Sequence, residues 1–261
     1  SIIPCKKYFG IIDLGKLSIY LTKDCSLFKN FDDLTQVCAI SFSPNEKFLS
    51  VIQKPSVDKN LKVFDIDNNF EKIHEFRSQV HPNNEWPQIT FSHDEKFIYF
   101  HNKSTLEIYD SNKELVHKLE NILVFEDVQY PEKDQHLIVA SKVVNVPENQ
   151  SKNKITKKCF FSTYDFKDLS KPIKEISTSL SDRAKLKLSL DQKYVLFNSI
   201  NDNTSNKSYY GQSSIYFYEI ATGRFNKFPL GDGPINEFRW LPNGENFIIC
   251  AGHLPKAQVN F

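Results

Sequence analysis

The sequence predicts an all-β fold: a β-propeller of four-stranded antiparallel, WD40-like blades, about five to six of them in this chain. Three observations predict it. A hairpin motif recurs, as Ile40-Ser41-Phe42-Ser43-Pro44-Asn45-Glu46-Lys47-Phe48-Leu49 and again as Ile89-Thr90-Phe91-Ser92-His93-Asp94-Glu95-Lys96-Phe97-Ile98. It returns at Val128–Lys133, at Leu186–Leu196 and at Phe238–Gly244. Each unit then closes on an aromatic followed by an acid: Phe64-Asp65, Tyr109-Asp110, Tyr164-Asp165 and Tyr218-Glu219. Finally, the period is about 50 residues with about four short strands per unit, the spacing of propeller blades. Such a unit cannot bury both of its faces alone, so its core is completed by stacking on its neighbours.

The blades follow in order within one domain spanning 1–261. Residues 1–36 offer a strand pair, Tyr8–Ile12 and Leu17–Leu21, without the opening Ser-turn, and read as a blade lacking its inner half. The next blade runs 37–85, with strands at Val37–Phe42, Phe48–Ile52, Leu61–Ile66 and Lys72–Phe76. Then come 86–124, 125–183, 184–233 and a partial unit at 234–261. The stretch from Trp240 to Phe261 stops where a closing aromatic is due, so the expectation is a chain truncated at both ends.

Runs such as Phe97–Phe100, Leu137–Ala140, Tyr194–Phe197 and Phe247–Cys250 are apolar at successive positions. A sheet with one wet face alternates; continuous apolarity fits blades covered on both sides. The acid after each closing aromatic suits a strand end, where a carboxylate accepts from backbone N–H groups of the next turn. From anchor to closing aromatic the spacing varies, from 18 residues (Phe91 to Tyr109) to 34 (Tyr130 to Tyr164), while the first hairpin barely changes. The inserts at 53–60, 141–158 and 199–213 therefore fall between second and third strands. In a propeller these would crowd one rim, where repeat scaffolds carry function.

Composition narrows the function classes. With 33 basic against 32 acidic residues the net charge is +1, so no global field draws nucleic acid or membrane. Cys5, Cys25, Cys38, Cys159 and Cys250 form no CxxC pair and read as free thiols of a reducing, cytoplasmic compartment. No apolar run reaches the roughly 18 residues of a membrane-spanning helix, and a monomer without membrane contact is expected.

Chemistry is sparse. The histidines at 74, 81, 93, 101, 117, 136 and 253 stand singly, and no ligand set has metal spacing. There is no GxSxG, Walker loop or GxGxxG, and no acid/base pair stands out. The expectation is no catalytic residue, no metal and no cofactor. Two features remain. Lys142, Lys152, Lys154, Lys157 and Lys158 crowd the insert 141–158 against Glu148 alone, and such a loop can neutralise phosphates. A solvated lysine loop is the plain alternative. Tyr209 and Tyr210, in Ser208-Tyr209-Tyr210-Gly211, can stack bases, or one ring can anchor the insert while Gly211 turns the chain.

These residues also carry a resemblance. The stretch Asn198–Ile220 with its Ser208-Tyr209-Tyr210-Gly211 block resembles the eukaryotic translation initiation factor 2A family. So do Gly233-Pro234-Ile235, Trp240 and the segment Gly252-His253-Leu254-Pro255-Lys256-Ala257. Weaker likenesses run from Val37-Cys38 to Pro44 and through Asn84, Trp86 and Pro87, so the collinear match extends over nearly the whole chain. The last segment departs from the family's Gly-aromatic-Met-Pro-Ala-Lys, and its Gly-x-x-Pro-basic spacing is also similar to the b subunit of initiation factor 3. The resemblance implies a nine-bladed ring, binding to the small (40S) ribosomal subunit, and delivery of initiator methionyl-tRNA alongside other initiation factors. The alternatives are a general WD-repeat protein-interaction scaffold and, more remotely, a propeller enzyme.

Overall fold

The computed structural model describes residues 1–78, 88–110, 112, 114–130, 135–147, 155–180, 183–201, 212–228, 235–243, 246–251 and 258–260. They form two compact units, Ser1–Leu119 and Glu120–Phe261. Among the described residues every regular element is a strand.

The first unit holds three four-stranded antiparallel sheets. Strands β1 (Ile2–Pro4), β2 (Tyr8–Asp13), β3 (Lys16–Leu21) and β4 (Leu27–Phe31) make the first. Strands β5 (Val37–Phe42), β6 (Phe48–Gln53), β7 (Leu61–Asp65) and β8 (Glu71–Phe76) make the second. The third is β9 (Gln88–Phe91), β10 (Phe97–Asn102), β11 (Thr105–Asp110) and β12 (Leu115–Glu120). Each is a simple meander, every strand pairing with its sequence neighbour.

The second unit repeats the plan. Strands β13 (Ile122–Tyr130), β14 (Gln135–Pro147), β15 (Ile155–Asp165) and β16 (Lys174–Leu180) are followed by β17 (Arg183–Leu188), β18 (Tyr194–Asn201), β19 (Gln212–Glu219) and β20 (Arg224–Lys227). A three-stranded sheet of β21 (Ile235–Trp240), β22 (Phe247–Ala251) and β23 (Gln258–Asn260) completes the described part.

Burial explains the continuous apolar runs. In β6, Leu49 and Val51 lie in a core with Ile12, Leu17, Ile19 and Ile40, while Phe48, on the other face, joins Leu61, Val63, Ile98 and Phe100. In β18, Val195 and Phe197 pack with Val139, Cys159 and Phe161, whereas Leu196 joins Phe238 and Ile249. One strand thus serves two interfaces, one on each face of its sheet. Gly10 marks how closely the first two sheets approach: a Cβ there would collide with Ile40 Cδ1.

One expectation fails. Residues 1–36 are not half a blade, because β1 pairs with β2 (Ile2↔Ile11) and β4 pairs with β3 (Leu17↔Phe31). Strand β1 has only three residues, too short to show an apolar period, and its turn lacks the serine found at Ser43, Ser92 and Ser189.

Candidate functional site

The second, third and fifth sheets open on one repeated turn. At Ser43, Ser92 and Ser189 the backbone N–H donates to the carbonyl five residues on (Phe48, Phe97 and Tyr194) at 2.8–3.0 Å. The serine Oγ accepts the N–H of the same residue at 2.9, 3.0 and 2.9 Å. The fourth residue of each turn takes a left-handed φ: Glu46 at 62°, Glu95 at 58° and Gln192 at 58°. Where an aspartate stands at the third position it locks the turn further. Asp94 accepts from Ser92 Oγ at 2.7 Å and Lys96 N at 3.2 Å. Asp191 does the same with Ser189 and Lys193 at 2.6 and 3.1 Å. Partial burial opposes ionisation of Asp94, but the hydrogen bonds from Ser92 and Lys96 outweigh it and hold the carboxyl at about 2. Asp191 is lowered in the same way.

The fourth residue also reaches backwards. The carboxylate of Glu46, buried at 4% exposure, accepts the backbone N–H groups of Lys6 and Lys7 in the β1–β2 turn. Glu95 accepts Asn45 N at 2.7 Å in the β5–β6 turn. Sequence reasoning missed this link, although both glutamates sit at the same place in the repeated motif. The acids after the closing aromatics behave as expected: Asp65 accepts from Asn68 N, Asp110 from Asn112 N and Glu114 N, and Asp165 from Lys167 N. The longer Glu219 instead accepts the Thr222 hydroxyl at 2.7 Å.

The insert 141–158 is not simply a loop, which corrects the expectation. Strands β14 and β15 stay paired from Leu137↔Asp165 out to Pro147↔Ile155, whereas their outer neighbours reach only Lys142 (from Ile122) and Lys158 (from Leu180). A two-stranded ribbon therefore projects from the sheet. Lys142, Val144, Lys158 and Phe160 share one of its faces, since they form the opposed pairs Lys142↔Phe160 and Val144↔Lys158. Lys157, opposite Asn145, belongs to the other face. Lys142 Nζ lies 3.9 Å from Glu175 Oε2, and Lys158 Nζ lies 5.3 Å from the centroid of the Phe160 ring. Lys152 and Lys154 lie outside the described residues, as do Ser208, Tyr209, Tyr210, Gly211, Gly233, Pro234, Gly252, Pro255 and Lys256.

Of the remaining singled-out positions, Ile235 is buried in the core shared by the fifth and sixth sheets. Trp240 is half-buried; its Nε1 donates to Lys187 O at 2.9 Å, and its ring stacks on Tyr194 and meets Phe247 edge-on. Next to this, burial pushes the carboxyl of Glu126 on β13 up to about 7, against the pull of Lys187 and of the Leu188 N–H, with Asp127 adding to the rise. That group gave no signal in the sequence, because its neighbours come from β17, some sixty residues on. Among the described residues no group of three or more His, Cys, Asp or Glu could hold a metal ion. Among the described residues no helix is long and apolar enough to cross a membrane.

These sheets define an all-β chain of propeller blades, and solved propellers are similar to it: the β-propeller domain of the Trilobed protease from Pyrococcus furiosus superposes at a TM-score of 0.53, with 11% identity, over 99% of this chain and 80% of that one. A structure described as a eukaryotic initiation factor matches at a TM-score of 0.74 and 18% identity, over 99% of this chain and 61% of its own. The sequence is more specific. The chain is similar to eukaryotic translation initiation factor 2A: the family model "Eukaryotic translation initiation factor eIF2A" matches residues 179–261. The Caenorhabditis elegans factor 2A is 38% identical over 71 residues, 27% of this chain and 12% of the worm protein. The Dictyostelium discoideum factor is 25% identical over 236 residues, 85% of this chain and 36% of its own length. The Saccharomyces cerevisiae factor is 30% identical over 118 residues, 42% and 16% of the two chains. The chain thus spans about a third or less of these relatives.

Proposed function

We propose that this chain is propeller sequence of a non-catalytic, cytoplasmic translation initiation factor that binds the small ribosomal subunit and promotes delivery of initiator methionyl-tRNA. The observation that carries the reading is the collinear similarity to factor 2A from three organisms, one match covering 85% of the chain. In this reading the sheets belong to a monomeric ring of nine blades whose rim inserts meet the ribosome, with other initiation factors as further partners. The ribbon of β14 and β15 suits such a contact. It stands clear of its sheet, and Lys157 is exposed on one face while Lys158 lies on the other.

Net charge of +1 gives the chain no long-range attraction for RNA, so contact must be local. Co-sedimentation with purified small ribosomal subunits over a salt series tests the reading. The wild-type chain should pellet at low salt and lose binding as salt rises. The variant Lys157→Ala/Lys158→Ala should flatten the dependence of log K on log salt by about 0.7 for each phosphate it no longer neutralises. Absence of pelleting at every salt concentration would favour the protein-interaction scaffold instead. Adding Tyr209→Ala and Tyr210→Ala separates base stacking, which weakens binding alone, from anchoring, which lowers the melting temperature.

A further inference from the structure

An open groove of about 410 Å³ lies between the fifth and sixth sheets, lined by Lys187, Leu188, Leu190, Glu237, Arg239, Trp240 and Pro242. Its lining mixes apolar and polar surface, the apolar part being somewhat larger. Leu190, at the tip of the β17–β18 turn, is 71% exposed, an unusual place for a leucine in a turn whose serine and aspartate are fully engaged with backbone. Lys187 and Arg239 are exposed on neighbouring strands, and among the described residues Arg239 has no ion pair. Three acids stand nearby: Asp191 is held by Ser189 and by the Lys193 N–H and ammonium, Glu237 lines the groove and accepts the N–H of Phe238, and Glu126 on β13 faces Lys187. The groove thus presents two cations against the one carboxylate of Glu237, beside aliphatic side chains and an indole.

We infer that this groove docks a short peptide segment of a partner protein, one that places an Asp or Glu side chain beside a Leu, Phe or other large apolar side chain. Charge complementarity selects the acid: a carboxylate set between Lys187 and Arg239 gains charge-assisted hydrogen bonds, bidentate ones at the guanidinium. The apolar lining selects the apolar neighbour, since Leu188, Leu190, Trp240 and Pro242 offer surface to cover. A nucleotide fits less well. The Trp240 indole is already stacked on Tyr194 and has its N–H committed to Lys187 O, so it makes no free platform for a base. Aliphatic side chains supply the rest of the apolar lining.

The test is selection from a random twelve-residue peptide display library on the purified chain, followed by fluorescein-labelled synthesis of the enriched peptides. Enriched sequences should carry an acid within a few residues of a large apolar side chain. Fluorescence anisotropy should show binding weakened at least about tenfold, or 1.4 kcal/mol, by Lys187→Glu/Arg239→Glu. Leu190→Asp should weaken it comparably. Lys227→Glu, a matched charge reversal on β20, should leave both binding and the melting temperature unchanged, and the groove variants should melt with the wild type. Enrichment of no peptide, enrichment of basic peptides, or affinity indifferent to the groove variants would overturn the proposal. So would a twelve-nucleotide oligouridine that displaces the peptide and itself depends on Lys187 and Arg239. None of these outcomes depends on ribosome binding.

Discussion

The second and fourth sheets share a plan and differ in one place. Both are four-stranded antiparallel meanders, and both bury their middle strands on two faces. In the second sheet those middle strands end at Gln53 and Leu61, and the connection folds back tightly: Gln53 N donates to Asn60 O, and the buried Asn60 amide donates to Gln53 O while its Oδ1 accepts Ser78 N. In the fourth sheet the same two strands run on as a ribbon to Pro147 and Ile155. The difference teaches that two-sided burial fixes the blade, while the middle hairpin is free to grow. Nothing in the blade core registers what happens past its edge.

That contrast can be broken most strongly at the core. Leu49→Ala in β6 and Phe161→Ala in β15 remove fully buried side chains and should each cost about 3–5 kcal/mol. Val144→Ala on the ribbon, at 36% exposure, should stay within about 0.5 kcal/mol. Urea unfolding of the three variants makes the comparison; a ribbon variant as damaging as a core variant would abolish the distinction.

Glu126 gives the next effect, confined to the second unit. Its carboxyl titrates near 7 in the fold against about 4.5 when unfolded. The folded state therefore binds the proton more tightly: the protonated group is tolerated at low pH, and its buried charge costs stability increasingly as pH rises between those values. Replacing it by Gln should be close to neutral at pH 5 and should stabilise by up to about 3 kcal/mol at pH 8. Thermal melts of wild type and Glu126→Gln from pH 5 to 8 should show curves that diverge upward in pH; parallel curves would refute the assignment.

The turn acids sharpen the comparison from the other direction, with the opposite sign. Asp94 is depressed to about 2, so its contribution is present above the ordinary carboxyl range and is lost as pH falls through 4 to 2. Because the group is largely exposed, solvent screening limits it to about 1 kcal/mol. Asp94→Asn should lower the melting temperature at pH 7 and lower it clearly less at pH 2.5. Smallest of all, Lys157→Ala/Lys158→Ala should leave stability within about 0.5 kcal/mol while altering the salt dependence of RNA contact.

What the sequence disclosed was local or periodic. The Ser-turn could be read because its donors and acceptors lie within five residues of Ser43, Ser92 and Ser189. The stacked sheets could be read because burial on both faces leaves runs such as Val195–Phe197 with no polar break. Strand β1 escaped because three residues carry no period. The ribbon escaped because Lys142, Lys157 and Lys158 look like loop residues even when their backbone is fully paired. Glu126 and the groove at Trp240 escaped for a different reason: each is assembled from strands of successive sheets, and a partner sixty residues away leaves no mark in a local pattern.

The backward reach of Glu46 and Glu95 gives this series of sheets a direction in time. During synthesis the turn at Lys6-Lys7 emerges first, yet its amides are satisfied only after a further 39 to 40 residues have left the tunnel. The turn at Asn45 then waits 50 more for Glu95. Nascent chain of this kind is fastened from behind, so a pause in translation just short of either glutamate would leave the newest finished sheet unclasped.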